Sequence, residues 1–229
     1  MTIMDNIRGK VIVSSQAMPN EPLYDEKCML AMMKSVMDGG ATVLRVAGSR
    51  DVKNAKKLGA TVIGITKPDK LPENWRSVVY ITPTLKEVDE LIEAGADIIA
   101  FDGTSRPRGE GKCTLEDIIN RIHDADKLAM ADISTFEEGI NCAKLGVDIV
   151  STTLSGYTDE SGEPGSIPDF ELLEKLVKSI KTPVILEGRI WEPKEVKKAF
   201  ELGAHAVVIG SAITRPQLIT KRFMEYKNA

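Results

Sequence analysis

Short apolar runs recur along the chain, and each follows a segment whose apolar residues have helical spacing. Gly-Ala or Gly-Val marks the junction, as in Gly95-Ala-Asp-Ile-Ile-Ala100. A glycine that ends a helix in the left-handed conformation lets the chain turn directly into the next strand. Repeated junctions of this kind indicate alternating helices and parallel strands. The five junctions start at Gly40, Gly59, Gly95, Gly146 and Gly203.

The apolar runs predict eight buried strands. Their approximate bounds are 11–15, 42–46, 61–65, 97–102, 128–132, 148–152, 183–187 and 205–210. Helical spacing is clearest in 25–38, 86–94, 114–124, 136–145 and 169–180, and Thr135 with Glu138 forms a predicted capping box.

Eight strands alternating with helices favour an α/β fold, a single (β/α)8 TIM barrel that spans 1–229 as one catalytic domain. The interval from Pro68 to Thr84 interrupts the alternation. We interpret it as an elaborated loop after strand three. The alternative is a ninth strand over Val78-Val-Tyr-Ile81.

Composition narrows the class of function. The hydrophobic fraction of 42% and the charged fraction of 28% are those of a globular protein, and a formal net charge of −4 argues against nucleic acid as a partner. No apolar run approaches the length of a membrane span. Three cysteines without CxxC spacing favour a reducing cytoplasm, and two histidines argue against a metal site.

Polar groups stand where the predicted strands end. Ligands of such barrels bind at these carboxyl ends, and a buried charge is costly unless it is paired. The pattern predicts a binding site at this mouth, with salt bridges that merely plug the barrel as the alternative. The strand-end residues are Gln16, Arg45, Lys67, Asp102, Asp132, Thr152, Thr153, Glu187, Gly210 and Ser211.

The loops after strands seven and eight form the usual phosphate site of these barrels. Gly188 and Gly210 allow the backbone to approach an anion closely. Ser211 adds a hydroxyl, and Arg215 offers a bidentate guanidinium. We therefore predict a phosphate-binding site here, which also includes Arg189.

Lys67 and Glu187 end strands three and seven, which lie opposite each other in a ring of eight. Burial and a nearby Arg45 would lower the pKa of the lysine, so that it could act as a base near neutral pH. Such a pair suits proton transfer beside a carbonyl. Two alternatives stay open at this point, a plain Lys67–Glu187 ion pair and a Schiff base on Lys67.

Several long strings, taken together, resemble the N-acetylmannosamine-6-phosphate 2-epimerase family over essentially the whole chain. Two are especially specific, the Thr152-to-Thr158 string and the Gly210-to-Pro216 string. The strings are Val13-Ser-Ser-Gln-Ala17 with Glu21-Pro22-Leu23, Ile81-Thr-Pro-Thr84, Met130-Ala-Asp-Ile-Ser-Thr135, Thr152-Thr-Leu-Ser-Gly-Tyr-Thr158, Glu187-Gly-Arg189 and Gly210-Ser-Ala-Ile-Thr-Arg-Pro216.

The resemblance implies cofactor-free inversion at C2, which converts N-acetylmannosamine 6-phosphate to N-acetylglucosamine 6-phosphate in sialic acid breakdown. It implies that Lys67 handles the C2 proton, that Glu187 assists, and that Arg215 takes the phosphate. It also implies a homodimer and a phosphosugar as the small-molecule partner. The residues expected to hold the sugar are Gln16, Arg45 and Asp132, to which we add Thr153 and Tyr157 from the specific string.

Two rival functions remain alongside the epimerase. A Schiff-base aldolase or lyase, or another phosphosugar isomerase, would also use Lys67. A non-enzymatic phosphosugar-binding barrel would need the glycines and the arginine, but not both Lys67 and Glu187.

Overall fold

Eight parallel strands close into a barrel in the computed structural model of the protein, which describes residues 2–108 and 113–225. Each strand pairs with the next, and β1 pairs with β8 through Val11 and Val207. The predicted (β/α)8 fold is confirmed, and the predicted strand bounds hold within one residue at each end. The strands are β1 Val11–Ser15, β2 Val43–Ala47, β3 Thr61–Ile65, β4 Ile98–Asp102, β5 Leu128–Asp132, β6 Ile149–Ser151, β7 Val184–Glu187 and β8 Ala206–Ile209.

Helices follow the strands around the outside of the barrel. α1 precedes β1 and brings the buried Ile7 against the barrel interior, an element that the sequence patterns did not predict. The helices are α1 Ile3–Ile7, α2 Glu26–Asp38, α3 Gly48–Lys57, α4 Leu85–Ala94, α5 Leu115–His123, α6 Phe136–Lys144, α7 Phe170–Ser179, α8 Pro193–Glu201, α9 Ser211–Thr214 and α10 Pro216–Glu225. In the described part of the chain, none of them combines the length and apolarity needed to span a membrane.

The alternation of side chains along each strand decides which residues enter the barrel. Successive side chains of a strand point to opposite faces. Ile12, Ile63 and Ile185 belong to the cluster inside the barrel, whereas Val13, Val62 and Leu186 pack between barrel and helices. Continuing the inner rows by steps of two leads to polar residues at the carboxyl end. These are Gln16, Arg45, Lys67, Asp132 and Glu187.

Local signals at the helix ends behave as the sequence predicted. The hydroxyl of Thr135 accepts from the backbone N–H of Glu138, and the Glu138 carboxylate accepts from the backbone N–H of Thr135 at 3.0 Å. Gly95 ends α4 with φ 89°, a conformation that favours glycine, and the chain then enters β4. These capped ends hold the helices in place around the strands.

The interval between β3 and α4 is a loop. Residues 78–81 form no strand, so the elaborated loop is the correct alternative. Val79 and Ile81 are nevertheless buried, and Ile81 packs with the cluster inside the barrel. The loop therefore covers part of the carboxyl end of the barrel.

Replacing Thr135 by alanine should lower the free energy of unfolding by about 1 kcal/mol, because the first turn of α6 loses its side-chain cap. Thr135→Ser keeps the hydroxyl and should retain most of the stability. Urea denaturation of the three proteins measures the difference. Equal stability of the alanine variant and the wild type would show that this cap contributes nothing.

Candidate active site

A cavity of about 500 Å³ opens at the carboxyl end of the barrel. Loops after β1, β3, β6, β7 and β8 form its wall. Most of the residues predicted for the site line this cavity. They are Gln16, Lys67, Thr153, Tyr157, Glu187, Gly188, Arg189, Gly210, Ser211 and Arg215.

Arg45 and Asp132 do not line the cavity but lie beneath it. Both side chains are almost completely buried, with 1% and 0% exposure. The guanidinium grips the carboxylate with two contacts, Nη1 to Oδ1 at 3.0 Å and Nη2 to Oδ2 at 2.5 Å. Burial of both charges is tolerable because each is paired and hydrogen-bonded. The pair forms the floor of the site.

Glu187 stands directly on this floor. Its Oε2 lies 3.3 Å from Arg45 Nη1 and accepts a hydrogen bond from Thr153 Oγ1 at 3.2 Å. The same hydroxyl lies 2.7 Å from Asp132 Oδ1, so it bridges the two carboxylates. Burial raises the pKa of Glu187, while Arg45 acts in the opposite direction. The net upward shift makes the protonated carboxyl more accessible near neutral pH.

Lys67 faces the same cavity with a weakened charge. Burial first, and then the positive charges of Arg45 and Arg215, lower the pKa of its ammonium group from 10.5 to about 8, although the carboxylates of Glu187 and Asp132 act in the opposite direction. Within the described residues, the ion pair of Glu187 is with Arg45. The plain Lys67–Glu187 ion pair considered above is therefore not formed. Lys67 can lose its proton near neutral pH.

The loops after β7 and β8 offer open backbone to a ligand. Gly188 has φ 110°, and a Cβ placed on it would meet nothing within 4 Å. Gly210 and Ser211 begin the turn into α9. Arg215 is about one-third exposed and pairs with Glu21, with Nη2 3.1 Å from Oε2. This side of the cavity combines accessible N–H groups with one partly free positive charge.

The side chain of Arg189 is committed elsewhere. Its Nη1 donates to the carbonyl oxygen of Ser155 at 2.6 Å, and its Nε donates to that of Ile167 at 2.8 Å. The guanidinium also lies over the Tyr157 ring, 5.7 Å from its centroid. Arg189 thus joins the loop after β7 to the loop after β6, and its backbone has φ 59° next to the cavity.

Sequence reasoning missed part of the lining. Tyr80 and Ile81 come from the loop after β3, Leu154 from the loop after β6, and Trp191 from the loop after β7. The length of the loop after β3 was one signal, and two of the family-like strings contain Ile81 and Leu154. Asp102 matches the alternative in which a strand-end charge forms a salt bridge without binding a ligand. Its buried carboxylate pairs with Arg106 rather than facing the cavity.

Comparison with known proteins gives the chain a family. A family model described as "Putative N-acetylmannosamine-6-phosphate epimerase" matches residues 29–229. A relative from Clostridium perfringens named as such a 2-epimerase is 49% identical over 225 residues, which cover 97% of this chain and 99% of the relative. Another from Clostridioides difficile is 47% identical, with 97% and 98% covered. The chain belongs to the N-acetylmannosamine-6-phosphate epimerase family.

A solved structure agrees with this membership. The N-acetylmannosamine-6-phosphate 2-epimerase of Clostridium perfringens superposes with a TM-score of 0.92 at 48% identity, covering 99% of this chain and 96% of the other. The resemblance that the sequence strings indicated is thus confirmed at the level of the epimerase family. The roles of the individual site residues remain predictions.

The buried position of Lys67 should destabilise the folded protein at pH values below the pKa of this lysine, where its ammonium group is charged. We expect Lys67→Met to be more stable than the wild type at pH 7, by on the order of 2 kcal/mol, because the pKa depression costs about 1.4 kcal/mol per unit and the group is partly open to the cavity. The wild type binds fewer protons folded than unfolded between pH 8 and 10.5. The difference in the free energy of unfolding between Lys67→Met and the wild type should therefore shrink as pH rises through that range.

Urea denaturation of both proteins at pH 7 and pH 10.5 measures this difference. The exposed Lys70→Met, from the same loop, serves as a matched control and should show no comparable gain. A Lys67→Met variant less stable than the wild type at pH 7 would contradict the lowered pKa.

Proposed function

We propose that the protein is a cofactor-independent epimerase that inverts C2 of N-acetylmannosamine 6-phosphate to give N-acetylglucosamine 6-phosphate in amino-sugar and sialic acid breakdown. One observation carries the proposal. An amine with a lowered pKa, on Lys67, and a carboxyl with a raised pKa, on Glu187, line one cavity in a chain of the epimerase family. The two groups can exchange a proton with a substrate near neutral pH.

Substrate orientation begins at the phosphate. The open backbone at Gly188 and Gly210, the hydroxyl of Ser211 and the guanidinium of Arg215 would hold this group. Lys67 lies across the barrel from β7. A sugar whose phosphate is bound at the loops after β7 and β8 therefore extends its other end toward the lysine. Gln16 Nε2 donates to Ser14 Oγ at 2.9 Å, and its amide oxygen is buried without a hydrogen-bond partner among the described residues. A rotation of the Gln16 side chain would turn this amide toward a sugar hydroxyl.

The proton transfer follows from the charges of the site. The sugar opens to its aldehyde, and neutral Lys67 takes the C2 proton while the C–H electrons move toward the carbonyl oxygen at C1. A protonated Glu187 can donate to that oxygen, forming a neutral enol. Return of a proton to the other face of C2, with loss of the hydroxyl proton to Glu187, completes the inversion. The proton returns from Lys67 after rotation of the intermediate, so that both groups regain their starting protonation states.

The Arg45–Asp132 floor supports this cycle without touching the reacting atoms. Arg45 stabilises Glu187 when it is ionised, and the Thr153 hydroxyl holds the carboxylate in one orientation. Thr152 fixes the strand end, since its Oγ1 donates to the Glu187 carbonyl oxygen at 3.0 Å and accepts from the Glu187 N–H at 3.1 Å. Positioning of this kind lowers the reorganisation needed during reaction.

We assign the whole chain, 1–229, to one catalytic domain, and we place the enzyme in the cytoplasm as a homodimer. The three cysteines are free thiols, which suits a reducing compartment. A phosphorylated sugar also carries charges that keep it on one side of a membrane. Sedimentation of the purified protein would test the dimer.

A Schiff-base enzyme is the second candidate, because an amine that is neutral near pH 8 is also a nucleophile. Borohydride added during turnover would trap such an adduct on Lys67. A trapped adduct that appears at the rate of turnover would favour this reaction class over simple proton transfer.

Epimerisation in heavy water tests the proposed function. We expect N-acetylmannosamine 6-phosphate to give product that carries deuterium at C2, measured by proton NMR. Lys67→Met should lower kcat at least about a thousandfold, because the acid–base group is lost, and Lys70→Met should leave it unchanged. Product without deuterium at C2 would contradict proton abstraction, and an inactive wild type would contradict the assignment.

The pH dependence of kcat/KM should report the ionisation of Lys67. Since the neutral amine is the base and the protonated Glu187 carboxyl is the acid, kcat/KM should follow a bell-shaped profile, and the midpoint of its limb near pH 8 should report Lys67. Glu187 raises the pKa of Lys67 and Arg215 lowers it. We therefore expect Glu187→Gln, on its residual activity, to move the midpoint to lower pH and Arg215→Gln to move it to higher pH. Shifts of the opposite sign would show that another group controls the profile.

A further inference from the structure

We call the loop between β3 and α4, residues 66–84, the β3 loop. Its two ends clasp each other beside Lys67. The Thr82 N–H donates to the Thr66 carbonyl oxygen at 3.2 Å, and the Thr66 N–H donates to Thr82 Oγ1 at 3.1 Å. Thr82 is buried with φ 44°, a strained conformation for a β-branched residue. Strain of this kind persists only where surrounding contacts hold the backbone.

A buried arginine braces the middle of the β3 loop. Arg106 donates from Nη1 to the carbonyl oxygens of Trp75 at 2.9 Å and Arg76 at 3.2 Å. Its own charge is compensated by the buried Asp102 carboxylate, and its Nε donates to Thr104 Oγ1 at 3.0 Å. The loop is therefore fixed to the end of β4.

A second arginine fixes the β3 loop to the loop after β6. Arg76 donates from Nη2 to the carbonyl oxygens of Thr158 at 3.0 Å and Gly162 at 2.6 Å. Ser77 adds a hydrogen bond to the Asp159 carboxylate at 2.5 Å. The two loops thus form one rigid wall of the cavity.

This wall is uncharged where it meets the cavity. Tyr80 and Ile81 from the β3 loop, with Leu154 and Tyr157 from the loop after β6, line the cavity and pack on the cluster inside the barrel. We call these four residues the acyl wall. Because Thr66 and Thr82 are clasped, Ile81 and Lys67 lie side by side at the base of the loop. The acyl wall therefore borders the position of the base.

The structure of the proposed substrate indicates which of its groups the acyl wall contacts. This step rests on the proposed function, in which the phosphate binds at the β7 and β8 loops and C2 lies at Lys67. The acylamino group is attached to C2, so it must lie against the lining next to Lys67. We propose that the acyl wall is the receptacle for the N-acyl group, with Ile81 and Leu154 around its methyl group and the Tyr80 hydroxyl donating to its carbonyl oxygen.

Two properties of the wall suit this role. Burial raises the pKa of Tyr80 to about 12, so its hydroxyl stays protonated and can donate. Ile81 and Leu154 are each only 2% exposed, and the loops that carry them are braced. A rigid apolar surface accommodates one extra methylene poorly, so the enzyme should discriminate acyl groups by length.

The first experiment compares kcat/KM for the N-acetyl and N-propanoyl forms of mannosamine 6-phosphate. The wild type should prefer the N-acetyl form by about tenfold or more. Ile81→Val removes one methyl group from the wall and should reduce that preference about threefold to tenfold. Ile190→Val is the matched control, since Ile190 is a buried isoleucine that lines the same cavity on the phosphate side. It should leave the preference unchanged within about twofold.

The second experiment isolates the hydrogen bond. Tyr80→Phe should weaken binding of N-acetylglucosamine 6-phosphate about threefold to tenfold, as for loss of one neutral hydrogen bond. It should not weaken binding of glucosamine 6-phosphate, which lacks the acyl carbonyl. Calorimetry measures both. Tyr24→Phe, outside this cavity, should change neither affinity.

The outcomes separate the acyl wall from the proposed function. The proposed role of the acyl wall would be overturned if Ile81→Val left the acyl preference unchanged, or if Ile190→Val shifted it equally. It would also be overturned if Tyr80→Phe weakened the binding of both sugar phosphates by the same factor. A wild type that turns over neither mannosamine derivative contradicts the proposed function instead. In that case, calorimetric binding of the N-acetyl and N-propanoyl ligands still tests the wall, because Ile81→Val and Ile190→Val remain comparable.

Discussion

A single buried guanidinium governs the chemistry of the site. Arg45 grips Asp132 beneath the cavity and touches Glu187 at 3.3 Å, so one positive charge serves two carboxylates. The same charge acts against protonation of Lys67. Burial would raise the pKa of Glu187 further without Arg45, and the pKa of Lys67 would lie higher without it. Burial thus brings the pKa values of the acid and the base toward each other, and Arg45 lowers both of them, which suits proton transfer near neutral pH.

The barrel makes this arrangement possible through its geometry. The inner rows of Ile63 and Ile185 are apolar within the barrel and continue by steps of two into Lys67 and Glu187 at the carboxyl end. Charges therefore emerge only where the apolar core stops and the cavity begins. The core excludes water from below, which strengthens each electrostatic interaction on the floor of the site.

The loops divide the remaining tasks between two sides of the cavity. On the β7 and β8 side, open backbone and Arg215 suit an anion. On the opposite side, Arg76 and Arg106 brace an uncharged wall from within the protein. These two arginines form hydrogen bonds with carbonyl groups and ion pairs with carboxylates. They therefore make the wall rigid and present no charge to the ligand. The proposed anchoring, proton transfer and acyl selection thus involve different residues, which allows each to be tested by itself.

The sequence by itself determined the barrel, the strand bounds and the presence of Lys67 and Glu187 at strand ends, because apolar periodicity and glycine junctions are local signals. Its motif strings also indicated the epimerase family. Only the tertiary structure decided that Arg45 and Asp132 lie below the cavity, that the Arg189 side chain binds carbonyl oxygens, and that Asp102 pairs with Arg106. The packed β3 loop is equally a tertiary result. Each depends on side-chain direction and on contacts that residue spacing along the chain does not encode.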